Sequence, residues 1–267
     1  TGEHLNLKEP QTFNEKIQWL KLYDYPSNPL VIECADKLKM HDYLKRKGLE
    51  KYSVKVIGAW DHFDEIPWKS LPNKFVLKMT HGSGFNIFIE NKDNIDLQKV
   101  KEQINIWQNI DFGLTSLEKH YSKIEPKIIA ETFLDISNDE LEFQFFCFNG
   151  IIRYCRAIRF DDKITKAVKG ICYSPNWDHM PLTKTETNLS ICVKKPENLD
   201  EMVSTCKTIC KDFSFVRIDF IKLKNNSVIL NELTFSPTSG FTKIYTDEAQ
   251  KTIGSWLDLS RSIDSCK

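Results

Sequence analysis

Asn149-Gly150 stands between two long apolar segments, Glu142 to Phe148 and Ile151 to Phe160. Asn-Gly is the dipeptide that a two-residue β-hairpin selects, because both turn positions need positive φ. A chain committed to a hairpin there lays its strands antiparallel, whereas a simple doubly wound sheet joins parallel strands through helical crossovers. A second pair, Phe215 to Leu223 and Ser227 to Leu233, flanks Lys224-Asn225-Asn226. Shorter strands are expected at Tyr52 to Trp60, Lys74 to Met79, Asn86 to Glu90 and Lys127 to Leu134, where β-branched and aromatic residues lie between Pro, Gly, Asn and Asp. Helical spacing predicts helices over Thr12 to Leu22, Leu97 to Ile110, Leu199 to Lys211 and Asp247 to Leu259. One more helix is expected from Pro29 to Lys47, stopped by Gly48. The mixture, rich in hairpins, predicts an α+β layered fold.

The chain has 267 residues, 41% of them hydrophobic, which suits one large domain or two smaller ones. Lys and Arg total 37 against 37 Asp and Glu, so bulk charge gives no reason to expect binding to nucleic acid or to an anionic membrane. The eight cysteines show neither CxxC nor a zinc-type Cys/His spacing, and a signal peptide is not expected. Reduced, mostly buried thiols and a cytoplasmic location are therefore expected. Cys206 and Cys210, one helical turn apart, are weak grounds for a redox pair. No segment approaches the roughly 20 apolar residues of a membrane-spanning helix. The chain starts at Thr1 without a methionine, as an excised piece would.

Three places carry chemistry. In NKFVLKMTHGSGFNIF, Lys78 interrupts a core-like strand just before His81-Gly82-Ser83-Gly84. Such a loop more commonly serves as a hairpin turn, but it can also cradle phosphate with its backbone N–H groups. A lysine buried beside it needs an anionic partner or a shifted pKa. It is not a P-loop, since it lacks Gly-Lys-Ser/Thr and leads into a strand. Near the C-terminus, VRIDF and ILNELTFSP form an antiparallel pair in which Asp219 and Glu232 can face one another, with Arg217 on the same face. The trio reads either as a buried salt bridge or as an oxygen site for Mg²⁺. Third, the strand Ile128 to Leu134 can offer backbone groups to an adenine, and Glu142 can accept hydrogen bonds from ribose hydroxyls, although core strand and surface carboxylate serve as well.

The order of these pieces resembles the ATP-grasp superfamily of ligases. PQTFNEKIQWLKLYD, ADKLKMHDYL, KFVLKMTHGSGFNI, FQFFCFNG and NELTFSPTSGF resemble its TupA-like subfamily, named for teichuronopeptide biosynthesis, over about Pro10 to Leu257. The resemblance implies two α+β subdomains whose antiparallel sheets clasp ATP. Its expected division is an abbreviated helical segment over 1–50, a lid subdomain with the Gly-rich loop over 51–131, and a C-terminal subdomain over 132–267 with the acidic residues.

The resemblance further implies that Lys37 and Lys78 contact ATP phosphates beneath a lid of Gly82, Ser83 and Gly84. It places Glu131, Thr132, Phe133 and Leu134 at the adenine and Glu142 on the ribose. Asp219 and Glu232 would bind Mg²⁺, with Thr234 where other superfamily members carry an asparagine ligand, and Arg217 would face the transferred phosphoryl group. Other members often place glycine directly after the proline; here Thr238 follows Pro237 and glycine waits until Gly240, which weakens the carry-over of substrate contacts.

The implied reaction is ATP-dependent carboxylate–amine ligation through an acyl phosphate. Its expected substrates are a uronic acid of a surface glycan and an amino acid or amine, with no nucleic-acid partner and a place beside a polysaccharide assembly complex. A small-molecule kinase on the same frame, a glycosyltransferase and a degenerate binding module are the competing readings. The absence of an Asp-X-Asp pair weighs against the glycosyltransferase. The polar loop from Asp161 to Thr187, with Lys163, Lys166 and Lys169, either covers substrate or is a surface loop.

Overall fold

The computed structural model describes residues 5–136, 141–160, 168–184 and 193–260. The chain divides into two compact units, Pro29–Asp135 and the pair of segments Thr1–Asn28 and Ile136–Lys267.

The Pro29–Asp135 unit is built on a four-stranded sheet of order β1-β4-β2-β3, with β1 Val56–Trp60, β2 Phe75–Met79, β3 Asn86–Ile89 and β4 Ile128–Thr132. Every pairing is antiparallel. Alternation sends Phe75, Leu77, Met79, Ile128 and Ala130 into one core with Val100 and Ile104. The last two belong to helix α4, Leu97–Gln108. Lys78 and Glu131 are left on the opposite face of the sheet.

The helix expected from Pro29 to Lys47 is two helices, α2 Pro29–Ala35 and α3 Lys39–Arg46. Asp36 divides them: its Oδ1 accepts the N–H groups of Leu38 and Lys39 at 2.9 and 3.2 Å, while the Lys37 N–H leaves the helical ladder for Thr80 O at 3.3 Å. Asp36 and Lys37 therefore lie in a break between helices rather than on one. The strand expected from Tyr52 begins only at Val56, because Glu50–Tyr52 closes a 3₁₀ turn first.

The other unit carries a five-stranded antiparallel sheet of order β7-β6-β5-β8-β9, with β5 Leu141–Phe148, β6 Ile151–Phe160, β7 Val168–Tyr173, β8 Phe215–Lys222 and β9 Val228–Thr234. Asn149 and Gly150 turn β5 into β6 with φ of 46° and 81°, the conformation for which Asn-Gly is suited. Strand β7 falls within the loop expected from Asp161 to Thr187, and its pairing with β6 was not foreseen. Residues 161–167 and 185–187 of that loop, with Lys163 and Lys166, lie outside the described residues.

Helix α1, Phe13–Tyr23, starts at a reciprocal cap in which Glu15 and Thr12 exchange side-chain and backbone hydrogen bonds. A five-residue-long run ahead of β4, Phe112–Thr115 with its cap, forms the short helix α5. Helix α6, Leu199–Ile209, buries Met202, Cys206 and Ile209, and α7 spans Asp247–Ser255. Cys34, Cys147, Cys155, Cys172, Cys206 and Cys210 are all buried. Among the described residues no helix is long and apolar enough to cross a membrane.

Between β8 and β9 the register breaks. Asp219 faces Glu232, but the next residue, Phe220, faces Leu230, so Asn231 is an extra residue on β9, a β-bulge.

Candidate functional site

Across the five-stranded sheet, Arg156, Gln144, Asp219 and Glu232 occupy one row of facing positions on four adjacent strands. Directly opposed residues share a face, so their side chains emerge on the same side. Arg217 and Thr234 form the next pair on that face. The Arg217 guanidinium grips Asp219, with Nε 2.8 and 3.0 Å from the two carboxylate oxygens and a terminal nitrogen 2.5 Å from Oδ2. It also donates to Thr234 Oγ1 at 3.0 Å, and that hydroxyl donates to Glu232 Oε1 at 3.1 Å. Glu142 accepts from Gln144 Nε2 at 2.9 Å.

The cluster carries three carboxylates, Glu142, Asp219 and Glu232, against two guanidiniums, Arg217 and Arg156. Asp219 is 1% exposed; burial pushes its pKa up to about 7, with Glu142 and Glu232 adding to the rise and Arg217 opposing it. Burial also raises Glu142, against the pull of its Gln144 hydrogen bond and of Arg217. Burial works against the charge on Arg217, but Asp219, Glu232 and Glu142 hold its pKa above the ordinary value. A partly buried face crowded with acids is one that a cation would stabilise.

Asp219, Glu232 and Thr234 supply oxygen donors of the kind Mg²⁺ prefers. Among the described residues, no three His, Cys, Asp or Glu side chains are arranged to enclose a metal. With so few protein oxygens on offer, an ion held there would keep water for much of its shell, which Mg²⁺ tolerates.

In the Pro29–Asp135 unit, Lys78 Nζ sits 2.6 Å from Glu131 Oε2. Glu131 is also approached by His41 Nε2 at 3.6 Å, and His41 Nδ1 contacts the Ser53 hydroxyl. Burial would raise the Glu131 carboxyl, but the nearby His41 ring and the charge and hydrogen bond of Lys78 outweigh it and hold it below the ordinary carboxylate range. The anionic partner expected for Lys78 is thus Glu131 itself. Lys37 Nζ donates to Gly82 O, tying the break between α2 and α3 to the glycine loop.

Thr80 to Phe85 is a hairpin loop between β2 and β3, closed by Met79 N–H to Phe85 O at 3.1 Å. Gly84 has φ of 77°, and a Cβ at Gly82 would lie 2.7 Å from the Phe85 ring, which stacks on Trp107 at 5.2 Å. His81 anchors the same loop, its Nε2 3.1 Å from Trp107 O. Burial lowers the His81 pKa.

The Thr132 N–H binds Lys55 O at 3.0 Å, and the Phe133 ring lies edge-on to Phe88, their centroids 6.4 Å apart. Glu142, Arg217, Asp219, Glu232 and Thr234 form one cluster, and Lys37 with Gly82 and Lys78 with Glu131 form two contacts in the other unit. His41, Ser53, Gln144 and Arg156 were not anticipated. Only Gln144 had a sequence signal, a polar residue inside the apolar run FQFF.

After β9, Thr238, Ser239 and Gly240 take φ of 51°, 51° and 72° in succession. Two non-glycine residues in that region are costly, and the turn is held from α1: Lys21 Nζ and Gln18 Nε2 each donate to Ser239 O at 2.8 Å. A Cβ at Gly240 would come 2.7 Å from Gln18 Nε2, which explains glycine there.

An L-amino acid ligase from Bacillus licheniformis matches this structure with a TM-score of 0.55 at 13% identity, over 92% of this chain and 55% of that one. The ADP complex of an N5-carboxyaminoimidazole ribonucleotide synthetase gives 0.51 at 10% identity, over 83% and 50%. The fold is that of the ATP-grasp class. The model of the TupA-like ATPgrasp family matches residues 15–258, and the chain belongs to that family. It spans about half the length of the solved structures just named. No curated protein sequence matches it.

Proposed function

We propose that the chain is an ATP-dependent carboxylate–amine ligase. The observation that carries this reading is the Arg217, Asp219, Glu232 and Thr234 cluster on neighbouring strands of a chain in the ATP-grasp family. Lys37 and Lys78 bind the phosphates of ATP, Gly82, Ser83 and Gly84 close over them, Glu131 to Leu134 contact adenine, and Glu142 holds the ribose. Asp219, Glu232 and Thr234 hold Mg²⁺, which when bound neutralises charge on the phosphate oxygens.

A substrate carboxylate oxygen attacks the γ-phosphorus and ADP leaves, giving an acyl phosphate. An amine nitrogen then attacks the carbonyl carbon, the C–O bond to phosphate breaks, and the amine proton passes to solvent or to phosphate. Arg217, fixed by Asp219 and Thr234, supplies a stationary positive charge as negative charge moves between oxygens. No side-chain nucleophile is required. We take the acid to be a uronic acid of a surface glycan and the acceptor an amino acid or amine, with the reaction running in the cytoplasm.

The test is ADP release from protein, ATP and Mg²⁺ with panels of uronic acids and amines. Release that needs both an acid and an amine supports the ligase. A stable phosphorylated product would make it a kinase, and turnover only with a nucleotide sugar would overturn both.

A further inference from the structure

Leu141, Phe143 and Arg159 lie on the face of the five-stranded sheet opposite Glu142, Gln144 and Asp219, since successive residues of a strand alternate sides. At the Leu141 end of that face is a cavity of about 420 Å³. Among the described residues its walls carry Arg159, Lys194, Lys195 and an already engaged Lys222, against one carboxylate, Glu197. Glu197 is already engaged, accepting from Asn226 Nδ2 at 2.7 Å. Among the described residues the buried Arg159 Nε has no hydrogen-bond partner. An unpaired buried donor is costly to a protein unless something fills its place.

Val193, which lines the cavity, is fixed in position. Trp177 stacks on Tyr173 with ring centroids 4.4 Å apart and donates from Nε1 to Val193 O at 3.1 Å, and the Val193 N–H donates to the Tyr173 hydroxyl at 2.9 Å. Val193 and the two lysines after it therefore start from a braced point. Leu141 and Phe143 supply an apolar floor. Cations around the rim of such a floor suit an oxyanion carried on a body the size of one or two sugar rings.

We propose that this cavity is a binding site for a sugar bearing an oxyanion, held by Arg159 and the Lys194-Lys195 pair, separate from the acidic face of the same sheet. A sugar phosphate and a uronic acid present that chemistry alike. The proposal does not rest on the ligase reading, because none of the residues assigned there lines this cavity.

The experiment is calorimetric titration of the full chain with glucose 1-phosphate and, separately, with glucuronate. Binding of either probe is expected, and the tighter of the two names the source of the oxyanion. The double variant Arg159→Gln, Lys195→Gln should weaken it by at least about tenfold while leaving ADP binding unchanged. Failure of both probes to bind, or binding that survives the double variant, would overturn the proposal. A second measurement needs no variant: acetylation of Lys194 and Lys195, followed by mass spectrometry, should slow in the presence of the bound probe. Unchanged acetylation would overturn it equally.

Discussion

Lys78 and Glu131 meet diagonally across β2 and β4, Nζ to Oε2 at 2.6 Å, with both side chains largely removed from solvent. A lysine proposed to bind phosphate is thus neutralised by a carboxylate of its own sheet. The charge that ATP would meet is that of a pair, modulated by His41.

Lys78→Ala should abolish ATP turnover and also destabilise the fold, because Glu131 is left buried without its cation, a loss on the order of 3 kcal/mol. Adding Glu131→Gln should recover most of the stability and none of the turnover. Thermal melts and ADP release of the single and double variants check this. A single variant with full activity would remove Lys78 from the phosphate site.

The same pair predicts an acid limb of stability. Glu131 is held below its unfolded value of 4.5, so its contribution is complete above that pH and is lost as pH falls through the lower folded value. Wild type should lose melting temperature below about pH 4.5, and Glu131→Gln should lose less over that interval.

Asp219→Asn and Glu232→Gln should each lower ADP release by about 100-fold or more and weaken its dependence on Mg²⁺ concentration. Turnover that keeps its rate and its Mg²⁺ dependence in both variants would mean the cluster is only a buried salt bridge.

Gly82→Ala and Gly84→Ala should fail differently. The first drives a Cβ against the Phe85 ring, shifting the Phe85–Trp107 stack and raising the KM for ATP. The second places alanine at φ of 77° with open space around it, costing about 1 kcal/mol through backbone strain alone. Melting curves with KM values for ATP separate the two effects.

Ser239→Gly should raise stability by about 1 kcal/mol, since glycine takes φ of 51° without strain. If the held turn serves the substrates, the same variant should raise the KM for acid or amine and leave the KM for ATP alone.

What could be read in advance was local. Asn149-Gly150 announced its hairpin because two residues decide the turn, and the facing of Asp219 and Glu232 followed from strands only a short turn apart. Lys78 was legible as a lysine in need of an anion, but its partner lies on β4, and that pairing leaves no trace in either segment alone. The pairing of β7 with β6 was hidden for a related reason, since the six residues of β7 carry little alternation of their own. The break at Asp36 was missed because helical periodicity continues on both sides of it, and only the capture of two N–H groups by its side chain ends the helix. The cavity around Arg159 gathers β6, β8, the turn after it and the approach to α6, which no stretch of sequence joins.

The extra residue at Asn231 decides which even-numbered residues of β9 meet which surroundings. Val228 and Leu230 point into the apolar core, yet Glu232 and Thr234, of the same parity, point to the acidic face, because the bulge shifts the phase of the strand by one. Remove that phase shift and a glutamate falls in line with Leu230. A deletion in the loop at 224–226 would alter the length of a turn. The same deletion at Asn231 would rewrite the punctuation of the strand, so that its final words, glutamate and threonine, were addressed to the wrong side of the sheet.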